Sequence, residues 1–587
     1  MTKKYELYRT GQAPLPDKTW SWNMYGAGIE NIGRDGRPEA FPIPEPADDQ
    51  LLVRVDSVGM CFSDVKLIKQ GGAHPKLYNR NLAEEPTRLG HEAALTIIKV
   101  GKALQAEYQP GQRLAIQPDI YQDGRSTAYG YTIPGGLTQY HLIGPEVLDA
   151  DDGAYVLPLT DDLGYAETAL TEPWACVEAS YTQRRRLQPK AGGRLWVIGQ
   201  PDDETNYTFS TELPAPALVV LSDVPEAAKS LIRQKVGAEV EIFVQDGLRP
   251  SDYPALKAEL TDDEGFDDII MLAPHSVERV SEAAKLTAFR GTFNLVGDTP
   301  LDGKVEIDVG RIHYHYTAYV GNPGPDIAAS YGEARNRCDL RPGGAAVFVG
   351  AGGPMGQMHV QRAIELKNGP RLIIATEVNE MRLAALEDLF GSLAETNGKE
   401  LLTFNPATEE ESLPDFVLNA TDQMGADDVV VCVPVAPLMA EAGTYLAPDG
   451  MLVLFAGVPN GTMAALDMSA VYLHNAQFTG TSGSALSDQA TVIAKTVAGD
   501  LSPNRSVAAV GGMEAARDGV EAMMEGRYPG KVVIFPQISG LPLLSLAELK
   551  EKYPTVAEKL GSGDVWTAEA EAALVEAFWQ VEQAEHA

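Results

Sequence analysis

Residues 345–367 read AAVFV-GAGGPMG-QMHVQRAIELK: an apolar run, a glycine-rich turn and an amphipathic stretch. That order predicts strand, tight turn and helix, the context in which GxGxxG becomes a dinucleotide-binding signal. Gly350 allows the tight turn, Gly352 lets backbone approach a pyrophosphate, and Gly353 or Gly356 permits close helix–strand packing. The helix start offers N–H groups that lack intrahelical partners, and these suit phosphate oxygens. Val360, Ala363, Ile364 and Lys367 share one helix face. Glu377 ends the next apolar run, LIIATEV. A carboxylate there accepts from both adenosine ribose hydroxyls and repels a 2′-phosphate, so NAD is expected over NADP; Arg382, nearby, is the residue that argues for NADP. The expected cofactor positions are Gly350, Gly352, Gly353, Pro354, Met355, Gly356, Glu377 and Arg382. A glycine turn with no ligand is the competing reading, and the strand, helix and acid together count against it.

Working outward, the same pattern occurs twice. ASYTQRRRLQPKAGGRLWVIG from Ala179 parallels ASYGEARNRCDLRPGGAAVFVG from Ala329. ALVVLSDV with Asp223 parallels LIIATEV with Glu377, and GFDDIIML with Asp267 and Asp268 parallels GADDVVVC with Asp427 and Asp428. Asp308, Ile312, His315 and Gly321 fall opposite Asp467, Val471, His474 and Gly480. A shared DxxxIxxH-like pattern exceeds what two generic βαβ units have in common. The first copy has lost the phosphate loop. After Gly199 it reads QPDDETNYTF, where a proline removes a donor and carboxylates repel a pyrophosphate. It is expected to bind no dinucleotide.

Before the repeat the texture is β-rich. Leu51, Val53 and Val55 alternate with Leu52, Arg54 and Asp56, as in a strand, and Pro110-Gly111 and Pro134-Gly135-Gly136 punctuate later apolar runs. After about Leu541 a short helix with Leu546, Leu549 and Tyr553 is expected to stop at Pro554. Thr567 is the expected N-cap of a further helix carrying Ala570, Leu574 and Phe578. This tail reads as a docking extension without chemistry.

At roughly 100–200 residues per domain, 587 residues leave room for three or four. A net charge of −35 argues against nucleic acid and anionic membrane surfaces as partners. The cysteines Cys61, Cys176, Cys338 and Cys432 are far apart with no CxxC pair, which excludes a disulfide scaffold and a four-cysteine zinc site. No uninterrupted apolar run of about 20 residues exists, and the start lacks an apolar signal core. A cytoplasmic protein is the expectation.

Three separated motifs offer metal ligands: Cys61 in GMCFSD, His91 and Glu92 in LGHEA, and Glu172 in TEPWACVEA. Thiolate, imidazole and carboxylate suit a catalytic zinc that keeps one position open. Each alone has a bland reading, a buried small cysteine or surface polarity. Their weight comes from occurring together ahead of a cofactor loop.

The series GMCFSD, GHE, EPWACV and GAGGPMG, with PGQRLAI and GGLTQY, resembles the zinc-containing medium-chain dehydrogenase/reductase family. The likeness is greatest to sorbitol dehydrogenases and sorbose 1-phosphate reductases. The resemblance implies a GroES-like catalytic domain at 1–178, a degenerate Rossmann-like unit at 179–328 and an NAD-binding Rossmann domain at 329–505. Residues 506–587 would return to the catalytic domain and add the helical extension. The fold class is therefore α/β, with two tandem parallel-sheet units, the first degenerate. Cys61 and His91 would be zinc ligands, and Glu172 or Glu92 the carboxylate. Ser63 would begin the proton relay, and Asp64 would orient the site. Lys66 replaces the family's relay histidine and could meet an anionic substrate group; Arg80 and Arg88 are further cations, more simply read as solvated. The implied reaction moves a hydride between a polyol, secondary alcohol or sugar phosphate and NAD(H), with one zinc ion, in a homo-oligomer. Two other readings stand beside it: a zinc-free medium-chain reductase and a non-catalytic NAD-sensing scaffold.

Overall fold

The structure, a computed structural model, describes residues 3–159 and 163–580. The chain divides into two units. One comprises residues 1–179 and 483–587, the other 180–482.

In the first unit the alternating segment forms the strand Leu51–Gly59. Alternation suggested one polar face, but every residue of this strand is buried. The charged face is covered and paired: Arg54 Nε donates to Asp56 Oδ1 at 2.7 Å, and its guanidinium lies 3.7 Å from the centre of the Tyr8 ring. The strand pairs antiparallel with Glu92–Val100 on one side and Lys531–Phe535 on the other. It is the middle of an eight-stranded, mainly antiparallel sheet. This register sets Gly59 opposite both Glu92 and Val533, so residues far apart in sequence meet at one strand end.

The buried helix Tyr165–Ala179 packs on this sheet and carries Glu172. Its first N–H groups are capped from far along the chain: Glu571 accepts from Tyr165 N and Ala166 N, both at 2.7 Å. Glu571 lies on the helix Ala568–Phe578, which Thr567 caps as the sequence predicts, the Thr567 hydroxyl accepting from Ala570 N. The tail thus orders the helix that carries Glu172, besides docking.

The chain re-enters this unit at Gly483, earlier than the expected boundary at 506. The cause is the helix Leu486–Val497, which packs against Tyr165–Ala179. Its buried Gln489 donates through Nε2 to Ile116 O (3.1 Å) and to Thr171 Oγ1 (3.0 Å).

The second unit holds two parallel six-stranded sheets with the same strand order. One runs Glu241–Val244, Leu218–Ser222, Arg194–Ile198, Phe266–Leu272, Thr287–Val296, Ala318–Asn322. The other runs Glu400–Phe404, Leu372–Thr376, Ala345–Val349, Ala426–Val431, Leu446–Leu454, Gln477–Thr479. This is the doubly wound order, with a crevice beyond the carboxyl ends of the central strands. Matching aspartates do matching work. Asp268 pairs with Arg186 and accepts from Lys190 N; Asp428 pairs with Arg337 and accepts from Arg341 N. Burial pushes both carboxyls up to about 6, against the pull of the arginines.

Between the sheets, Val305–Asp308 pairs antiparallel with Met463–Leu466. Since Asp308 and Asp467 are equivalent, so are Glu306 and Ala465, and these two face one another. The pairing is therefore self-complementary, like an isologous contact between two copies. One hydrophobic core containing Phe293, Ile307, Val429 and Leu466 runs through both sheets.

The two copies differ after their first strands. Ala345–Val349 leads into the helix Pro354–Glu365. After Arg194–Ile198 no helix forms before Leu218–Ser222. The connecting chain instead sends Phe209 and Leu213 into the core against Val219 and Leu221.

Candidate metal and cofactor sites

Cys61 N-caps the helix Phe62–Gln70, and its N–H donates to Asp64 Oδ2 at 3.1 Å. That places the thiol at the strand end and sets Asp64, almost fully buried, beside His91. His91 Nδ1 faces Asp64 Oδ1 at 3.2 Å, which leaves Nε2 as the nitrogen free for a metal. Ser63 Oγ lies 3.0 Å from Cys61 Sγ and 3.3 Å from His91 Nε2. The ligand atoms of Cys61, His91 and Glu92 all lie within 4.8 Å of one another.

Two observations show that this set suits a cation. Glu92 is fully buried, Oε1 bonded to Lys531 Nζ at 2.5 Å, and Oε2 has no hydrogen-bond partner among the described residues. An orphaned buried carboxylate oxygen beside a thiol and an imidazole is costly unless a cation meets it. Burial disfavours a charged imidazole at His91, yet Asp64 and Cys61 raise its pKa well above the ordinary value. Positive charge is favoured at this point. The residues present thus fit zinc. Gly59 makes room for Glu92, since a Cβ there would stand 2.1 Å from Oε2.

Glu172 is buried near this set but does not join the 4.8 Å group. Burial pushes its carboxyl up to about 7; His91 draws it down, and Glu92 and Asp119 raise it. Lys66 is exposed on the same helix as Ser63 and Asp64. Arg80 is tied to the carbonyls of Glu85, Thr132 and Pro86, and Arg88 donates to Gly135 O. Arg80 is thus spent on holding its loop.

Sequence reasoning missed Lys531, whose Nζ also donates to Met60 O. It missed Tyr131 as well, which lies 5.8 Å from His91, ring centre to ring centre. Lys531 carried no local signal. Tyr131 stands in YGYTIPGG, where only the glycines drew notice.

In the second unit the glycine turn lies between the strand Ala345–Val349 and the helix Pro354–Glu365, the order expected from the sequence. Gly350 has φ +76°, a left-handed conformation that favours glycine. A Cβ at Gly352 would stand 2.3 Å from Glu377 Oε2, and one at Gly356 would stand 2.7 Å from Gly350 O. Gly356 is thus the glycine of close packing, whereas Gly353 has open space around its Cβ position. Pro354 and Met355 open the helix. Glu377 is held by three N–H groups: Gly352 (3.1 Å) on Oε2, and Val378 (2.9 Å) and Asn379 (3.0 Å) on Oε1. Arg382 is half-buried beside Gly352. The N–H groups of Gly350, Ala351 and Gly352 are taken by Thr376 and Glu377, so it is the helix start that follows, beside an anchored carboxylate, that fits a dinucleotide.

At the equivalent place in the other sheet, Arg279 occupies the position. Its Nη1 donates to Gly199 O (3.4 Å) and its Nη2 pairs with Asp223 Oδ2 (3.3 Å). Asp223 Oδ1 accepts from Gly247 N (2.7 Å).

Residues 47–149 match the alcohol dehydrogenase GroES-like domain. L-sorbose 1-phosphate reductase of Klebsiella pneumoniae is 30% identical over 310 residues, 50% of this chain and 73% of that protein. The chain belongs to the medium-chain dehydrogenase/reductase family. Mannitol-1-phosphate 5-dehydrogenase of Aliivibrio fischeri is 29% identical over 62% of this chain and 88% of its own length. Among solved structures, 2R,3R-butanediol dehydrogenase of Bacillus subtilis aligns with a TM-score of 0.48 at 14% identity, over 88% of this chain and 99% of that one. This medium-chain family member is an oxidoreductase of the zinc-dependent alcohol and polyol dehydrogenase kind.

Proposed function

We propose that the chain is a zinc- and NAD-dependent dehydrogenase that moves a hydride between a polyol, secondary alcohol or sugar phosphate and NAD(H). The observation that carries this reading is the convergence of Cys61, His91 and Glu92 ligand atoms within 4.8 Å, with the Ser63 hydroxyl against two of them. Zinc, when bound, polarises the substrate oxygen and lowers the alcohol pKa, and the nicotinamide takes the hydride. Cys61 and His91 hold the metal. Asp64 fixes the imidazole so that Nε2 points inward. Ser63 Oγ accepts the substrate hydroxyl proton and releases its own toward solvent, so that the proton leaves the site. Glu92 is a ligand that can exchange with water, with Lys531 holding its other oxygen. Glu172, with its carboxyl near neutrality, stands by as the alternative carboxylate.

The cofactor sits on Gly350–Gly356, with Glu377 on the ribose, and this favours NAD over NADP. The sheet containing Arg194–Ile198 is the degenerate copy. It has no helix after its first strand, and Arg279 fills the place where a ribose would meet an acid.

Metal analysis and turnover of the purified chain test this together. One zinc per chain is expected, with NADH-linked activity lost on chelation and restored by added zinc. Cys61→Ser should lose both metal and turnover. Full activity without stoichiometric zinc would instead favour a zinc-free reductase, and bound NADH with no turnover of any alcohol would favour a sensor.

A further inference from the structure

The chain is strongly acidic overall, yet from Val65 to Ala83 it holds no aspartate or glutamate, while Lys66, Lys69, His74, Lys76 and Arg80 all fall there. This stretch runs directly on from the metal-site loop. We propose that Lys66, His74 and Lys76 form an anion subsite beside the metal site, taking the phosphate of a phosphorylated ketose or polyol. The proposal rests on the dehydrogenase reading above and selects one substrate class within it.

The geometry turns on the Tyr131 ring. His91 lies 5.8 Å from it, His74 lies 5.3 Å from it, and Lys76 Nζ stands 5.0 Å from its centre. The metal-site imidazole, the His74 imidazole and the Lys76 ammonium therefore pack around one ring. A phosphorylated hexose or hexitol is longer than that ring is wide, so one molecule can engage both. Lys76 is held in place by Asp119 at 2.8 Å, with about a third of its side chain exposed. An ammonium has three donors, so the ion pair leaves N–H groups for a phosphate. His74 Nδ1 accepts from Lys76 N at 3.2 Å. In the neutral ring this leaves the proton on Nε2, a donor.

His74 is held below the ordinary histidine range by burial first, then by the charges of Lys76 and Lys66. A dianionic phosphate with several acceptor oxygens suits such a cluster of donors, whereas an uncharged sugar gains little from it. Arg80 is excluded because the carbonyls of Glu85, Thr132 and Pro86 already take donors from all three of its guanidinium nitrogens.

The test uses the zinc-loaded full chain. L-sorbose 1-phosphate and mannitol 1-phosphate are compared with L-sorbose and mannitol, following NADH absorbance. The phosphorylated sugars should show kcat/KM at least 100-fold higher. Lys76→Met should cut that preference at least 10-fold, mainly through KM, and Lys76→Arg should recover part of it. Should Lys76→Met fail to fold with Asp119 left bare, Lys66→Met at an exposed position still tests the subsite, and it should cut the preference several-fold. Equal kcat/KM for the two forms, variants that slow both alike, or preference for a hexonate carboxylate over the phosphate would overturn the proposal. If no sugar is turned over, the dehydrogenase reading fails, and calorimetric titration with mannitol 1-phosphate decides the subsite separately. Binding that inorganic phosphate displaces and Lys66→Met weakens supports it; no binding sinks it.

Discussion

Lys531 and Glu92 form an ion pair with essentially no solvent contact. Taking both charges out of water is expensive, and the pair holds only while both members remain. Lys531→Met leaves the buried Glu92 carboxylate without its ammonium partner. In chelator, the variant should lose about 3–5 kcal/mol of stability in urea titrations. Lys531→Met combined with Glu92→Gln should recover most of that. A single variant as stable as the parent would mean that Glu92 is protonated or solvated in the fold. Residue types set what could be read from sequence at this scale. Cys61, His91 and Glu92 stand in short motifs whose chemistry is local. Lys531 is paired with Glu92 across 439 positions, and only the antiparallel registers of Leu51–Gly59 with its two neighbours bring them together.

At the scale of elements, the loop–helix junction at Gly352 is the sharpest case. A methyl there would collide with Glu377, which also accepts the Gly352 N–H. Gly352→Ala must displace either the loop or the carboxylate. NADH affinity, followed by fluorescence titration, should fall at least 10-fold while metal content is unchanged. An unaltered Kd would show that the cofactor does not use this loop. The element itself was legible because strand, glycines, helix and acid follow one another within a short window. Its counterpart was only half legible. Pro201 and the acids after Gly199 reveal that a phosphate loop is missing, but not that the whole crossover helix is gone. Tyr207, Phe209 and Leu213 are apolar enough to suit a helix or an irregular chain, and only packing against Val219 and Leu221 decides between them. The tail shows the same limit. Thr567 marks its helix by a local cap, whereas Glu571, which caps a helix some 400 positions away, gives no local sign.

Across the whole molecule, buried titratable groups pull stability in opposite directions with pH. Burial lowers His359 to about 3, below its unfolded value. Between that value and about 6.5 the unfolded chain binds a proton that the folded one refuses, so this contribution is lost as pH falls. Asp268, Asp428 and Glu571 are raised and act the other way. The total therefore hides the histidine, but a variant uncovers it. The stability difference between the parent and His359→Asn should shift against the parent by about 1.4 kcal/mol per pH unit below 6.5. A pH-independent difference would show that His359 takes up its proton in the fold. Cooperativity within residues 180–482 follows from the shared core. Ile307 is fully buried in the strand that joins the two sheets, opposite Ala464. Ile307→Ala should cost about 2–5 kcal/mol. Because that core has no seam between the sheets, the loss should reach both. Hydrogen exchange should then show peptides 266–272 and 426–431 losing protection by the same factor. Loss confined to 266–272 would mean that the sheets unfold separately, with the antiparallel joint between them a surface contact and not a shared core.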